Sequence, residues 1–316
     1  MLYRNPRFLQ PRFHVAMAFA HTPWEAPNSP FTIGLEPLGE RDWIEPDANL
    51  ARDLDAKERL IATRRDVVFR ETEATRAAQA EALALLASYL PARFPGVYAR
   101  EAGAIRVEPA GRAIPLESDD PPLLTAARLA QEDLCLMRRG DNGWRLGAGA
   151  LCFPSGWSLA EKMGKGLGAI HGPVPGFAGR MEQVVGRVFD NLRAGAPLLR
   201  FNWSIYGSGA LHQPPGAEAR VRPDADSVAA AYVRVERQTL TRLPDAGAIL
   251  FTIRVHIDRI ADLAFHPRRS ELAAALRSRL LELSEQEARY KGLWEGQSAM
   301  DKWLRELSCN RLTTHI

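Results

Sequence analysis

Cysteine is scarce in this sequence and never occurs in the paired spacing that binds metals. The 316 residues include three cysteines, Cys135, Cys152 and Cys309, with no C-x-x-C among them. An odd number of unpaired cysteines excludes a disulfide framework of the secreted type. It also argues against a structural zinc cage and against a cysteine-bound iron–sulfur cluster.

The sequence also lacks a charge excess and a long apolar run. Its 41 Lys and Arg residues nearly balance 38 Asp and Glu residues, and basic residues alternate with acidic ones without forming a tract. The apolar run Val15–Ala20 follows Arg4, Arg7 and Arg12 but is too short for a secretory signal, and no later run reaches membrane-spanning length. We therefore expect a cytoplasmic protein with neither nucleic acid nor a membrane as its partner.

Several common catalytic signatures are missing. The sequence contains no phosphate-binding G-x-x-x-x-G-K-[ST], no metalloprotease H-E-x-x-H and no hydrolase G-x-S-x-G. The glycine-rich run at 164–168 has no strand before it and no βαβ context, so it does not predict a dinucleotide site. Those enzyme classes are excluded.

The residues that are present divide the chain into four segments. A Pro-rich and aromatic stretch, residues 1–48, predicts an irregular arm, and apolar residues at helical spacing predict a helical segment over 49–122. Residues 123–265 form the core segment, and 266–316 predict C-terminal helices that pack back on it. The composition is that of an ordinary folded protein with one or two domains.

The core segment predicts an α+β fold. An apolar run at Leu134–Met137, a turn at 141–143 and a strand from Trp144 form a hairpin, and a helical stretch then ends in a long helix over Phe177–Leu192. Three further strands are expected, over Leu198–Tyr206, Ala231–Leu243 and Ala248–Ile257. This order predicts a PAS-like, five-stranded antiparallel sheet with a helical clasp, and with the N- and C-terminal helices packed on it. Ligands bind between the two layers of such a fold.

Two glycines mark one face of the second strand. Gly147 and Gly149 alternate with apolar residues that point the other way. Two glycines on one face leave room for a flat ligand close to the backbone, although a bend or bulge in the sheet gives the same pattern. We therefore count both glycines as candidate cofactor-binding residues.

Among the seven histidines, His171 stands out because it precedes the rigid turn of Pro173 and Pro175 and then the long helix. A neutral imidazole in an apolar pocket suits an axial ligand of haem iron if its second nitrogen has a hydrogen-bond partner. A helix-capping or core histidine is the structural alternative. His256, at a strand end, is the second candidate.

Polar residues alternate along the last three strands and predict a polar sheet face. Its cationic members include Arg254, while Arg200 and Arg237 lie on the same strands. One interpretation of this polar face is an outer sheet surface with cross-strand ion pairs. The other is that some of these arginines bind anionic groups such as haem propionates. Separately, Glu132 and Asp133 lie where a helix meets an inner strand, where they would either act on a cationic substrate or cap the strand.

Several long strings then resemble one family, that of the haem-dependent oxidative N-demethylases. The strings are QEDLCLM (131–137), LCFPSGWSLAEKMGKGLGAIHGPVPGF (151–177), FNWSIY (201–206), RVERQTLTRLPDAGAILFTIR (234–254) and GLEPLGERDWIEPD (34–47). The resemblance covers most of residues 31–295. It implies a PAS-type domain that holds haem b, with His171 as the axial ligand.

The resemblance also implies a reaction. A small secondary amine such as dimethylamine would be oxidised by dioxygen to a primary amine and formaldehyde, in a monooxygenase-like reaction. The sequence has no flavin fingerprint and no iron–sulfur cluster, so electrons would come from an external reductase with flavin or iron–sulfur centres. Two other classes stay open: a PAS-like haem or small-ligand sensor without turnover, and a haem-free interaction module.

Overall fold

A computed structural model describes residues 18–26, 31–217, 221 and 224–309. Half of the apolar run at 15–20 lies outside the described residues. So do the first seventeen residues and residues 27–30 of the predicted arm, parts of the stretch between the predicted strands Leu198–Tyr206 and Ala231–Leu243, and the last seven residues. Within those ranges the chain forms ten strands and ten α-helices.

The bounds of these elements follow the chain order. The strands are β1 Glu36–Pro37, β2 Phe69–Glu71, β3 Tyr98–Glu101, β4 Ala104–Val107, β5 Arg112–Pro115, β6 Asp133–Gly140, β7 Gly143–Ala150, β8 Leu198–Tyr206, β9 Tyr232–Arg242 and β10 Ile249–Arg259. The helices are α1 Leu50–Val68, α2 Arg76–Arg93, α3 Pro122–Ala127, α4 Leu159–Lys162, α5 Leu167–Ile170, α6 Arg180–Asn191, α7 Ala225–Ala229, α8 Arg269–Leu281, α9 Glu285–Tyr290 and α10 Gln297–Ser308.

The strands form two antiparallel sheets. The large sheet has seven strands in the order β1-β8-β9-β10-β6-β7-β2, and the small sheet has the order β3-β4-β5. The predicted α+β class is confirmed, but the large sheet has seven strands where five were expected. The two extra strands, β1 and β2, are two and three residues long and lie at the edges. Strands this short show no alternation, so they could not be predicted from the sequence pattern.

The central hairpin forms at the predicted turn. Gly143 opens β7 with φ of +89°, a conformation that glycine adopts without steric cost. β8 has the predicted bounds, and β9 and β10 agree with prediction within two residues. Strong local signals therefore gave accurate strand positions.

Within the helical segment, Pro91 predicts the end of the second helix, but α2 continues through this proline to Arg93. Proline cannot donate the hydrogen bond to the carbonyl four residues earlier, which is that of Ala87. The guanidinium of Arg100, on the neighbouring strand β3, donates to this carbonyl oxygen at 3.2 Å. A side chain that is distant in sequence thus compensates for the lost backbone bond and lets the last turn form.

The sheet is packed by two hydrophobic clusters. One surrounds β6 and β7 together with α1, α2 and α3, and the other packs β8 and β9 against α8 and α10. The helical side of the second cluster consists of buried leucines and one methionine, namely Leu272, Leu276, Leu280, Met300, Leu304 and Leu307. None of the helices described has the length and apolar character needed to cross a membrane.

The strand register corrects the predicted polar face. Asn202 pairs with Glu236, whereas Arg254 pairs with Arg237, and directly paired residues share a face. The polar residues of β8 and the even-numbered ones of β9 therefore lie on one face. The polar residues of β10, including Arg254, lie on the opposite face.

Candidate functional site

A cavity of about 390 Å³ lies between one face of the large sheet and the short helices α4, α5 and α6. This volume falls within the ~300–1,000 Å³ typical of ligand pockets. The predicted pocket between sheet and helices is therefore confirmed. The segment before β1 and the end of α9 also contribute to the lining, through Phe31 and Lys291.

Most of the cavity wall is apolar. Its apolar lining comes from both layers and includes Met137, Leu146, Trp157, Ile170, Val174, Phe177, Met181, Val185, Phe189, Leu240, Phe251 and Ile253. Helix α6 contributes residues 181, 185 and 189, which are four apart and so face the sheet together. The cavity therefore offers a largely apolar surface to a ligand.

His171 follows α5 directly and lines this cavity. Its Nδ1 lies 2.9 Å from the carbonyl oxygen of Leu167, and its ring stacks on Phe177 with 4.2 Å between the ring centroids. A carbonyl oxygen only accepts, so Nδ1 carries the proton and Nε2 keeps its lone pair. Burial lowers the pKa of His171 to about 4, which keeps the imidazole neutral at pH 7. The side chain therefore has the tautomer and the fixed direction of a metal-ligating histidine.

The sheet contributes a polar wall that carries both signs of charge. The Glu236 carboxylate is 6% exposed, and its Oε2 accepts from Gln238 at 2.9 Å and from Asn202 at 3.3 Å. Its other oxygen lies 3.6 Å from Nε of Arg234. The carboxylate is thus held in one orientation at the cavity surface.

Two cations lie near this carboxylate. Arg200 lines the cavity, and its Nε is buried without a hydrogen-bond partner among the described residues. Lys291 is buried, its Nζ donates to the carbonyl oxygen of Trp203 at 2.5 Å, and burial lowers its pKa to about 8. Cations such as the half-buried Arg200 and the buried Lys291 can bind an anionic group of a ligand in the cavity.

Neither predicted glycine lines the cavity. A Cβ on Gly147 would lie 2.6 Å from Cγ2 of Thr75, and one on Gly149 would lie 2.6 Å from Cδ1 of Leu159. The space over both glycines is filled by the protein's own side chains. The glycine pair therefore allows close packing of β7, which corrects the expectation of a ligand lying over it.

The predicted catalytic carboxylates also have partners within the protein. Asp133 accepts from the backbone nitrogens of Cys152 and Phe153 at 2.9 and 2.7 Å and lies 3.6 Å from Nζ of Lys57. Glu132 accepts from the backbone nitrogen of Glu45 at 3.0 Å. Both are fully buried and neither lines the cavity, which argues against a catalytic role.

The two arginines predicted to bind the cofactor lie on the sheet face away from the cavity. Arg237 donates to the carbonyl oxygen of Trp43 at 3.0 Å, and its Nε lies 2.9 Å from Glu45. Arg254 pairs with Asp47 at 2.8 Å. Both anchor the segment before α1 to the sheet, so the cofactor-binding expectation is corrected for them.

Sequence reasoning missed the polar members of the site. Glu236 and Lys291 received no functional role, and Arg200 was left open. Strand alternation placed Arg200 and Glu236 on β8 and β9, but only the register shows that they share a face. Lys291 lies far along the chain in a polar helix end, where no sequence signal connects it to the cavity.

A comparison with known protein families gives one match. The family described as haem-dependent oxidative N-demethylase, alpha subunit-like, matches residues 34–300. Its name implies a haem-dependent oxidoreductase that works as one subunit beside a partner. The match includes every strand of both sheets as well as His171, Glu236 and Arg200. The chain therefore belongs to the haem-dependent oxidative N-demethylase, alpha subunit-like family.

Proposed function

We propose that the cavity would bind haem b with His171 as a ligand of the iron, and that the protein demethylates a small secondary amine such as dimethylamine. The reaction combines the amine, dioxygen, two electrons and two protons into a primary amine, formaldehyde and water. One observation carries the proposal: a neutral histidine, fixed by the Leu167 carbonyl and the Phe177 ring, faces an apolar cavity.

The donor set of the cavity fits this cofactor. Nε2 of His171 supplies a ligand whose second nitrogen is already hydrogen-bonded, as is usual for metal-bound histidine. The apolar wall suits the porphyrin ring, and Arg200 offers a partner for its carboxylates. When bound, haem supplies the activation of dioxygen that the oxidation requires.

Glu236 supports an amine as the substrate. An aliphatic amine, like the side chain of lysine, is largely protonated at neutral pH. Glu236 is a carboxylate at the cavity wall, held by Asn202 and Gln238 and so oriented before a ligand arrives. We assign to Glu236 the binding of the ammonium group, a role that the sequence analysis gave to Glu132 and Asp133.

The strand order supports a PAS-like description of the centre. The five strands β6 to β10 occur in the spatial order second, first, fifth, fourth and third, with the short helices between the second and third. We propose that this unit is the PAS-like core and that β1 and β2 are additions to its edges. Electrons would come from an external reductase, in keeping with the subunit character of the family.

Absorption spectroscopy tests the cofactor. The protein reconstituted with haem should show a Soret band, and His171→Gln should shift or abolish it, because the variant removes the proposed ligand. His266→Gln is the matched control, since His266 lies outside the cavity lining. The absence of a Soret band from the wild type would favour the haem-free interaction module. An unchanged band in His171→Gln would overturn the ligand assignment.

Turnover tests the reaction and the substrate residue. With dimethylamine, dioxygen and an artificial reductant, the haem-loaded protein should release formaldehyde and methylamine in equal amounts. Glu236→Gln should lower kcat/KM by about tenfold or more, chiefly through KM, while the Soret band stays, because a desolvated charge pair is lost. A haem-loaded wild type that binds dioxygen but releases no formaldehyde would favour the sensor.

A further inference from the structure

Three side chains from distant parts of the chain meet on the sheet face away from the cavity. His21 precedes the short 3-10 helix Pro23–Glu25, Glu45 lies between β1 and α1, and His256 is on β10. Their ligand atoms all lie within 4.8 Å of one another. His256 shares its face with Arg254, so this cluster is separate from the haem site proposed above.

His256 has a nitrogen that needs a partner. Its side chain is 10% exposed, and Nε2 is buried with no hydrogen-bond partner in the part of the chain that the structure describes. This atom lies 4.0 Å from Oε1 of Glu45. A buried polar atom without a partner destabilises a fold. A ligand between these atoms would satisfy it.

Glu45 is oriented toward the same point. Its Oε1 lies 2.8 Å from Nε2 of His21, while its Oε2 lies 2.9 Å from Nε of Arg237. Arg237 is in turn fixed by the carbonyl oxygen of Trp43. A carboxylate with one oxygen held by a neighbouring group and the other directed at two imidazoles has the orientation of a metal-binding carboxylate.

The charged side chains around the cluster are paired with one another. The two nearby guanidiniums belong to Arg237, paired with Glu45, and to Arg254, paired with Asp47 at 2.8 Å and with Asp53 at 3.5 Å. Asp53 is also paired with a third guanidinium, that of Arg52, at 2.8 Å. Three carboxylates therefore accompany three guanidiniums, so a divalent ion would bind among side chains whose formal charges balance.

We propose that His21, Glu45 and His256 form a binding site for one divalent transition-metal ion, best matched by Zn²⁺. Two imidazoles and one carboxylate are the protein ligands of many four-coordinate zinc sites, with water in the fourth position. Ligand bonds of ~2.0–2.2 Å separate tetrahedral ligand atoms by about 3.3 Å. Small side-chain rotations would shorten the 4.0 Å distance between His256 and Glu45 to this value. Similar rotations would lengthen the 2.8 Å distance between His21 and Glu45.

The ion would attach the N-terminal segment to the sheet. His21 lies between Phe19 and Trp24, which are both buried in the second hydrophobic cluster. A metal that binds only the folded state stabilises it in proportion to the logarithm of its concentration. Zinc would therefore strengthen the contact between this segment and β10, whether or not haem is bound.

Elemental analysis and titration calorimetry on the untagged full-length chain test the site. After chelation and dialysis, the wild type should bind one Zn²⁺ per chain, which elemental analysis distinguishes from haem iron. His21→Gln, Glu45→Gln and His256→Gln should each weaken binding by more than about tenfold. His266→Gln is the matched control, because its ring contacts Phe19 in the same segment without belonging to the cluster.

Thermal unfolding gives a second measurement. Zn²⁺ should raise the Tm of the wild type and of His266→Gln but not that of His21→Gln, a partly exposed position whose change should leave the fold intact. Loss of zinc binding in His21→Gln with an unchanged circular dichroism spectrum supports the site. The proposed site is overturned if the wild type does not bind Zn²⁺ at micromolar concentration. It is also overturned if His21→Gln and His256→Gln bind Zn²⁺ as tightly as the wild type does.

Discussion

At the scale of single residues, the burial of Lys291 makes the stability of the fold depend on pH. Because its folded-state pKa of about 8 lies below the usual 10.5, the unfolded chain binds more protons between those pH values. Stability should therefore rise with pH across that window, by on the order of 3 kcal/mol, while the full penalty of burying the charge remains below pH 8.

We expect the stability of Lys291→Met not to rise between pH 8 and pH 10.5, because methionine has no ammonium group that could lose a proton. Urea unfolding at pH 7.5 and pH 10 measures the difference between the two proteins. The exposed Lys302→Met should follow the wild type at both pH values. Parallel pH profiles for wild type and Lys291→Met would contradict the prediction.

The three cysteines should differ in reactivity. Burial and the nearby Asp133 carboxylate raise the pKa of Cys135 and of Cys152 to about 12, whereas Cys309 is exposed. Since the thiolate is the reactive form, we expect one thiol per chain to react with a disulfide reagent at pH 8, and three after unfolding. Cys309→Ser should leave none reactive in the native state. A second fast-reacting thiol would show that the cavity region opens.

The sequence predicted which residue types belong to the site better than it predicted the side of the sheet to which each side chain points. His171 was identified from its proline-braced turn and does line the cavity. Glu132 directly precedes a strand, and Asp133, Arg237 and Arg254 are polar residues on strands. No local pattern showed which side of the sheet each side chain would occupy. Register depends on pairing with distant strands, so one residue of alternation decides between the cavity and an internal ion pair.

At the scale of elements, we expect the two glycines of β7 to stabilise the fold by allowing neighbouring side chains to pack closely against this strand. Gly149→Ala places a Cβ against Leu159 of α4, so we expect a loss of about 1–3 kcal/mol in the free energy of unfolding. Gly96→Ala is the control, because a Cβ there has no neighbour within 4 Å. Denaturant unfolding without haem measures both variants. An unaffected Gly149→Ala protein would favour the original idea of open space over this strand.

The contact between α1 and β6 depends on a buried ion pair. Lys57 and Asp133 are fully buried, and Nζ of Lys57 also donates to the carbonyl oxygen of Ala130 at 3.0 Å. Lys57→Met leaves Asp133 without its cation and should cost about 3–5 kcal/mol. Arg59→Met, at an exposed position of the same helix, should change stability by less than about 0.5 kcal/mol. Thermal or denaturant unfolding compares the two, and similar losses would contradict this role.

Elements with long periodic patterns could be predicted, and those fixed by tertiary contacts could not. Apolar residues at helical spacing predicted the segment that contains α1 and α2, and alternation predicted the bounds of β8. The continuation of α2 past Pro91 depends on Arg100, and β2 exists because β7 offers it a free edge. Local propensity does not contain that information.

At the scale of the whole molecule, the four segments expected from the sequence share one sheet. The predicted arm supplies β1, the helical segment supplies β2, and the C-terminal helices cover β8 and β9. We expect one cooperative unfolding transition, because no segment can leave without exposing the apolar surface of another.

Far-UV circular dichroism and tryptophan fluorescence together check this cooperativity. Trp24, Trp144 and Trp303 lie in three different segments, so the two signals should change at the same midpoint. Calorimetric and van't Hoff enthalpies should also agree. Two separate transitions would show that the segments are independent domains.

The centre of the large sheet joins the first strand of the core to its last. β6 pairs with β10 through contacts such as Asp133 with Ile253, although three strands and the whole of the helical clasp are synthesised between them. A pairing so distant in sequence must pay its loop-closure entropy before the contacts form, which slows folding. On the ribosome, the hairpin β6–β7 must therefore wait with an uncovered edge until β10 has emerged, and this interval is when the chain most needs protection from aggregation.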